Sequence, residues 1–124
     1  MDASTPEKLV IIATHGPEDP EMATIPFVMA AAARASDVDV VMAFQSKGVN
    51  LVRRGEPEHV MAAGFAPLRE LLANVQELGV QLLVCSPCLN AREVVPEDLI
   101  DGAEVAAAGR LVAEVTSAVA TLTY

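Results

Sequence analysis

Cys85 and Cys88 are the only two cysteines in the chain, three positions apart in the run Leu83-Val84-Cys85-Ser86-Pro87-Cys88-Leu89-Asn90-Ala91-Arg92. The thiolate is the reactive form of cysteine, and a C-x-x-C pair is a setting that lowers a thiol pKa. Arg92 adds positive potential, which favours the anion further. The expectation is therefore a Cys85 more acidic than a free thiol, able to attack sulfur. Cys88 reads in two ways. It resolves a persulfide or sulfenate on Cys85 by forming a disulfide, or it is a small core residue in the turn.

The surrounding elements must place these thiols. Leu9 to Ala13, Val38 to Phe44 and Val80 to Val84 are short apolar runs that read as buried strands. Ala103 to Ala107 and Val119 to Tyr124 add two more. Between them lie helix signals. Thr24 reads as a cap, with Pro26 two positions beyond it and an apolar helix running to Ala35. A second helix runs from Pro67, with Leu68, Leu71, Leu72, Val75 and Leu78 at helical spacing and Gly79 at its C-terminal end. Pro96 to Ile100 reads as a brief helix, and Gly109 to Ser117 as a longer one. Val49 to Val52 reads as a short strand extension, and Glu18 to Glu21 as a solvated loop. Strands alternating with helices predict an α/β fold over residues 1–124, a single doubly wound domain with a mainly parallel sheet of about five strands.

In such a sheet, ligands bind beyond the carboxyl ends of the strands. That brings together Thr14-His15-Gly16, Gln45-Ser46-Lys47-Gly48 and Cys85-Ser86-Pro87-Cys88. His15 reads as an acid or base near neutral pH, or as a loop histidine. Lys47 reads as an attractor for an anionic sulfur species, or as a solvated lysine. Arg92 either orients an anion or pairs with Glu93 or Glu97. No role is assigned to His59.

Composition excludes several classes. Eight basic against seventeen acidic residues give a net charge of −9, which repels phosphate backbones. Aromatics make up 3%, so stacking surfaces for single-stranded bases are nearly absent. No run is long enough to cross a bilayer, and Met1 to Glu7 is polar and acidic, unlike a signal peptide. These features predict a cytoplasmic protein with neither nucleic acid nor membrane as partner. In that compartment a C-x-x-C is catalytic, redox-active or metal-binding more often than a structural disulfide. Zinc is disfavoured, because a structural site needs four ligands and only His15 and His59 remain, at a spacing that fits no ligand pattern. No cofactor is expected. A thioredoxin-like fold is disfavoured too, because too little chain follows the cysteines. The apolar content of 52%, with the all-round apolar helix Ile25 to Ala35, predicts a homo-oligomer with that helix at the interface.

The stretch C-x-x-C-x-x-A-R from Cys85 to Arg92 resembles the DsrE/DsrF-like, or YchN-like, family. Pro96 to Glu104, the F-x-x-x-G-V of Phe44 to Val49, and a β-type C-terminus ending in an aromatic resemble it too. The resemblance implies a mainly parallel α/β fold assembled as a homotrimer or hexamer. It also implies sulfur relay, in which Cys85 would carry sulfur as a persulfide between donor and acceptor proteins, with Arg92 at the place of a family arginine. Many members have glycine after that arginine; this chain has Glu93. Two other classes stay open: a non-catalytic ligand-binding or assembly protein with structural cysteines, and a dithiol redox sensor.

Overall fold

Apolar, β-branched runs supply the strands. They are β1 (Lys8–Ala13), β2 (Asp39–Phe44), β3 (Gln81–Cys85), β4 (Ala103–Ala106) and β5 (Ala120–Thr123). The computed structural model, which describes residues 6–124, joins all five in one sheet of order β4-β3-β2-β1-β5. Every pairing is parallel. Met1 to Thr5, the first part of the polar segment Met1 to Glu7, lie outside the described residues.

Helices α1 (Pro20–Ala35), α2 (Leu68–Glu77), α3 (Ser86–Ala91) and α4 (Ala108–Thr116) connect the strands. From β1 to β4 each crossover steps to the next strand in the same direction. Right-handed connections then put α1, α2 and α3 over one face. The β4-to-β5 connection travels back across the sheet, so the same handedness carries α4 to the opposite face. The packing agrees. Ile11, Val40, Met42, Phe44, Leu82 and Val84 share a core with Ala23, Phe27, Leu68, Leu72 and Leu89. Val10, Val41 and Leu83 point the other way, towards Val115 and Ala118. At the centre of the larger core, the rings of Phe27 and Phe44 lie 5.9 Å apart in a tilted pair.

Helix α1 begins a turn earlier than Thr24 suggests. Asp19 is the cap, its Oδ1 accepting from the Met22 N–H at 3.2 Å, and Pro20 follows with its φ already set for the first turn. Thr24 is buried inside the helix, where its hydroxyl donates to the Pro20 carbonyl at 2.6 Å. The reading of residues 18–21 as loop therefore gives way to a cap and a first turn. The apolar face of α1 covers the sheet through Ala23, Pro26, Phe27 and Ala30.

Ser46–Val52 is a 3-10 helix and not a strand extension. Its buried residues fall in pairs three apart, Gly48 with Leu51 and Val49 with Val52, the spacing of a three-residue turn. Pro57–His59 and Pro96–Asp98 are further 3-10 turns.

Helices α2 and α3 end in the same motif with different residues. After α2, Gly79 has φ +81°, with Val80 N–H on the Val75 carbonyl and Gly79 N–H on the Gln76 carbonyl. After α3, Val94 N–H meets the Leu89 carbonyl and Glu93 N–H the Asn90 carbonyl. Both are Schellman caps, which place a left-handed residue just past the helix. Glu93 holds φ +56° there, a conformation that favours glycine.

Candidate functional site

The three strand-end loops meet at the carboxyl edge of the sheet. Gln45 N–H donates to the Ala13 carbonyl at 3.0 Å, which ties the second loop to the end of β1. Two glycines make the approach possible. A Cβ on Gly48 would lie 2.1 Å from the Ala13 carbonyl oxygen, and one on Gly16 would lie 2.5 Å from the Lys47 carbonyl oxygen. Glu18 is exposed in the turn before α1, and it also braces this arrangement, since both its carboxylate oxygens accept from the Gly16 N–H at 2.9 Å.

Cys85 ends β3 and is the cap residue of α3, with Pro87 in the helix's first turn. Cys88, one helical turn on, turns its sulfur towards the second loop. Ser46 N–H donates to Cys88 Sγ at 3.2 Å. Ser46 itself has φ +53°, a conformation that non-glycine residues seldom adopt. The docking of this loop on Ala13 holds it there. Both cysteines are free thiols, each partly exposed.

Burial is the first cause that pushes the Cys85 thiol above its ordinary pKa, and hydrogen bonding with the Cys88 thiol is the second. The Cys88 backbone N–H pulls the other way, and Arg92 contributes the weakest downward pull. The expectation of an acidic Cys85 is therefore corrected. The strand end lies half inside the core, where desolvation outweighs the nearby cation. Arg92 spends one N–H on the Cys88 carbonyl, Nη1 to oxygen at 3.2 Å, so it braces the α3 turn rather than pairing with Glu93 or Glu97.

Cys85 sits at a seam. It packs against the larger core and also lines a cleft of about 190 Å³ on the α4 side. The cleft lies between Ala43, Leu83 and Ala106 on the strands and Leu111 and Val112 on α4. His15, Lys47 and Arg92 do not line it. The loops of His15 and Lys47 gather at the strand ends beside the cysteines, next to the cleft and not in its wall. His15 is half-buried with Nδ1 3.5 Å from the Thr14 hydroxyl, which donates to the Tyr124 carbonyl at 2.6 Å. Lys47 is exposed.

Sequence reasoning placed the Ser46 loop at the site but missed the contacts of Ser46 with Cys88 and of Glu18 with Gly16, and it missed the α4 wall. The two loop glycines were the available signal for the first two, because glycine at a strand end marks a close approach of backbone. The α4 wall carried no signal, since it faces the site only through the sheet order. Among the described residues, no three His, Cys, Asp or Glu side chains gather as a metal ion would need, and no helix is long and apolar enough to cross a membrane.

The chain is similar to known proteins along most of its length. It is 33% identical over 107 residues to the protein MJ0989 of Methanocaldococcus jannaschii, covering 86% of this chain and 90% of that one. A second protein of that organism, MJ0760, is 28% identical over 102 residues, and the match spans 37% of its length. The crystal structure of the ychN protein from E. coli superposes with a TM-score of 0.80 at 25% identity, covering 95% of this chain and 99% of that one. The structure of MTH1491 from Methanobacterium thermoautotrophicum shares the fold, with a TM-score of 0.76 and coverage of 95% and 99% at 20% identity. The family model for DsrE/DsrF-like proteins matches residues 7–124, and the chain belongs to that family.

Proposed function

We propose that this protein carries sulfur as a persulfide on Cys85 and passes it to a partner protein. The family is associated with sulfur relay. The observation that carries the reading is the placement of Cys85: it ends β3 at the wall of a cleft, with a second thiol one helical turn away. Cys85 as thiolate attacks the outer sulfur of a donor and expels the donor's remaining thiolate, and an acceptor thiolate later takes that sulfur. Of the groups around Cys85, the Cys88 backbone N–H and Arg92 favour the anion. Cys88 offers a side exit: its attack on Cys85 Sγ closes a disulfide and releases the outer sulfur as sulfide. A dithiol redox sensor is the second reading, favoured by the placement of the two thiols one helical turn apart. Self-association is part of the proposal, supported by exposed Met61 and Val119. The expected mass in solution is several times 13.0 kDa.

Intact mass after incubation with a persulfide donor tests this. One added sulfur, about 32 Da and removable by reductant, is expected on wild-type protein and on Cys88→Ser, and is expected to vanish in Cys85→Ser. An adduct unchanged in Cys85→Ser would falsify the assignment. A reversible loss of two hydrogens with no sulfur gained would favour the redox sensor. The raised thiol pKa sets the pH dependence. The Cys85 thiolate fraction grows with pH until the raised pKa is passed, so alkylation of Cys85 should still be accelerating at the ordinary thiol value of about 8.5. The sign for stability is the reverse. The neutral thiol favours the folded state below the unfolded pKa, and that contribution fades as pH rises through the folded one.

A further inference from the structure

We infer, resting on the persulfide reading, that the cleft beside Cys85 selects small organic hydropersulfides with an uncharged apolar tail, over those whose tail carries an anionic group.

The lining is the first argument. Leu83, Leu111 and Val112 dominate it, small alanines fill the gaps, and Gln45 is the polar side chain besides Cys85 itself. No lining residue carries a charge. An anion entering such a space gives up its hydration and meets no counter-charge. The three cations near the strand ends, Lys47, His15 when protonated and Arg92, stand outside the lining. The net charge of −9 adds a general repulsion of anions.

Size is the second argument. A cavity of about 150 Å³ lined by apolar side chains takes up benzene. The cleft here is about 190 Å³, room for a tail of roughly six to eight heavy atoms on that scale. The third argument is placement: Cys85 forms part of the wall, so a tail seated in the cleft lies beside the residue to be loaded.

The reaction balances without an added oxidant. Cys85 releases its thiol proton to water, and Sγ attacks the outer sulfur of R–S–S–H. The new Sγ–S bond forms as the R–S–S–H sulfur–sulfur bond breaks, and the departing R–S⁻ takes up a proton. One thiol and one hydropersulfide give one hydropersulfide and one thiol.

The test compares two donors with the same reacting sulfurs and different tails, cyclohexyl hydropersulfide and 3-sulfopropyl hydropersulfide. Each loading rate on the folded full-length chain is followed by intact mass without oxygen and divided by the rate for the same donor on urea-unfolded protein. The cyclohexyl donor is expected to be favoured at least tenfold. Leu111→Asp is expected to erase most of that preference, and Val112→Asp, at a position 59% exposed where folding tolerates the charge, is expected to reduce it. Equal normalised rates for the two donors overturn the substrate class and leave persulfide carriage standing. A preference that survives both aspartate variants also overturns it, since the cleft then does not select. If neither donor loads folded Cys85 while both load the unfolded chain, the persulfide reading itself fails.

Discussion

The two faces of the sheet are built to different standards. On one face, α1 and α2 press a continuous apolar core against Ile11, Met42, Phe44 and Leu82, each almost or entirely buried. On the other, α4 alone covers the sheet, and none of its residues is buried. Helix number explains the difference. A sheet of five strands is about 19 Å wide at roughly 4.8 Å per strand spacing. The single helix α4 is only about 10–12 Å across. Part of the sheet beyond β2, β3 and β4 is left with a cleft instead of a lid, and Cys85 ends its strand there. The comparison teaches that the reactive edge of this fold lies where one crossover is asked to span the whole sheet.

That contrast can be broken or sharpened in order of expected effect. The largest should come from Phe27→Ala, which empties the centre of the closed face and should cost about 3–5 kcal/mol, read by urea unfolding. A loss under about 1 kcal/mol would mean the closed face is no better packed than the open one. Next is Gly48→Ala, which forces a methyl onto the Ala13 carbonyl. It should cost about 1–3 kcal/mol and lift Ser46 from the Cys88 sulfur, so the alkylation rate of Cys88 should change while that of Phe27→Ala protein, measured below its unfolding range, should not.

A smaller effect of opposite sign is expected at Glu93. Replacing it by glycine relieves the left-handed strain that Gly79 avoids at the equivalent cap. Urea unfolding should show a gain of about 0.5–1 kcal/mol, with Cys85 loading unchanged; a loss would show that the Glu93 side chain makes a contact worth more than the strain. Smallest is Val112→Ser on the open face. Stability should stay within about 0.5 kcal/mol of wild type, against the large loss for Phe27→Ala.

The fold was legible because its signals are local. Fully buried parallel strands read as apolar runs, and α2 announces itself through Leu68, Leu72 and Val75 with Gly79 behind them. The start of α1 was misplaced because Thr24 looks like a cap, while its real work is to satisfy a hydroxyl inside the helix. The segment after β2 was misread because alternation and a three-residue repeat cannot be told apart over four residues. At the site, the sequence identified the thiols and their strand end, and it overestimated Arg92. A cation seven residues away in the chain looks close, yet its pull on Cys85 is the weakest of those acting there.

By itself, the sequence determined the order of strands and helices, the parallel α/β class, and the cysteine pair at the end of β3, because each depends on neighbours within a few residues. The tertiary structure alone decided what surrounds those thiols. It set the strand order that puts β2 between β1 and β3, and it brought Ser46 to Cys88 from 42 residues away. It also placed an uncharged cleft, not a basic pocket, beside Cys85. Desolvation depends on what packs around a group and not on what precedes it in the chain, and this is why the acidity of Cys85 could be read only from the folded protein.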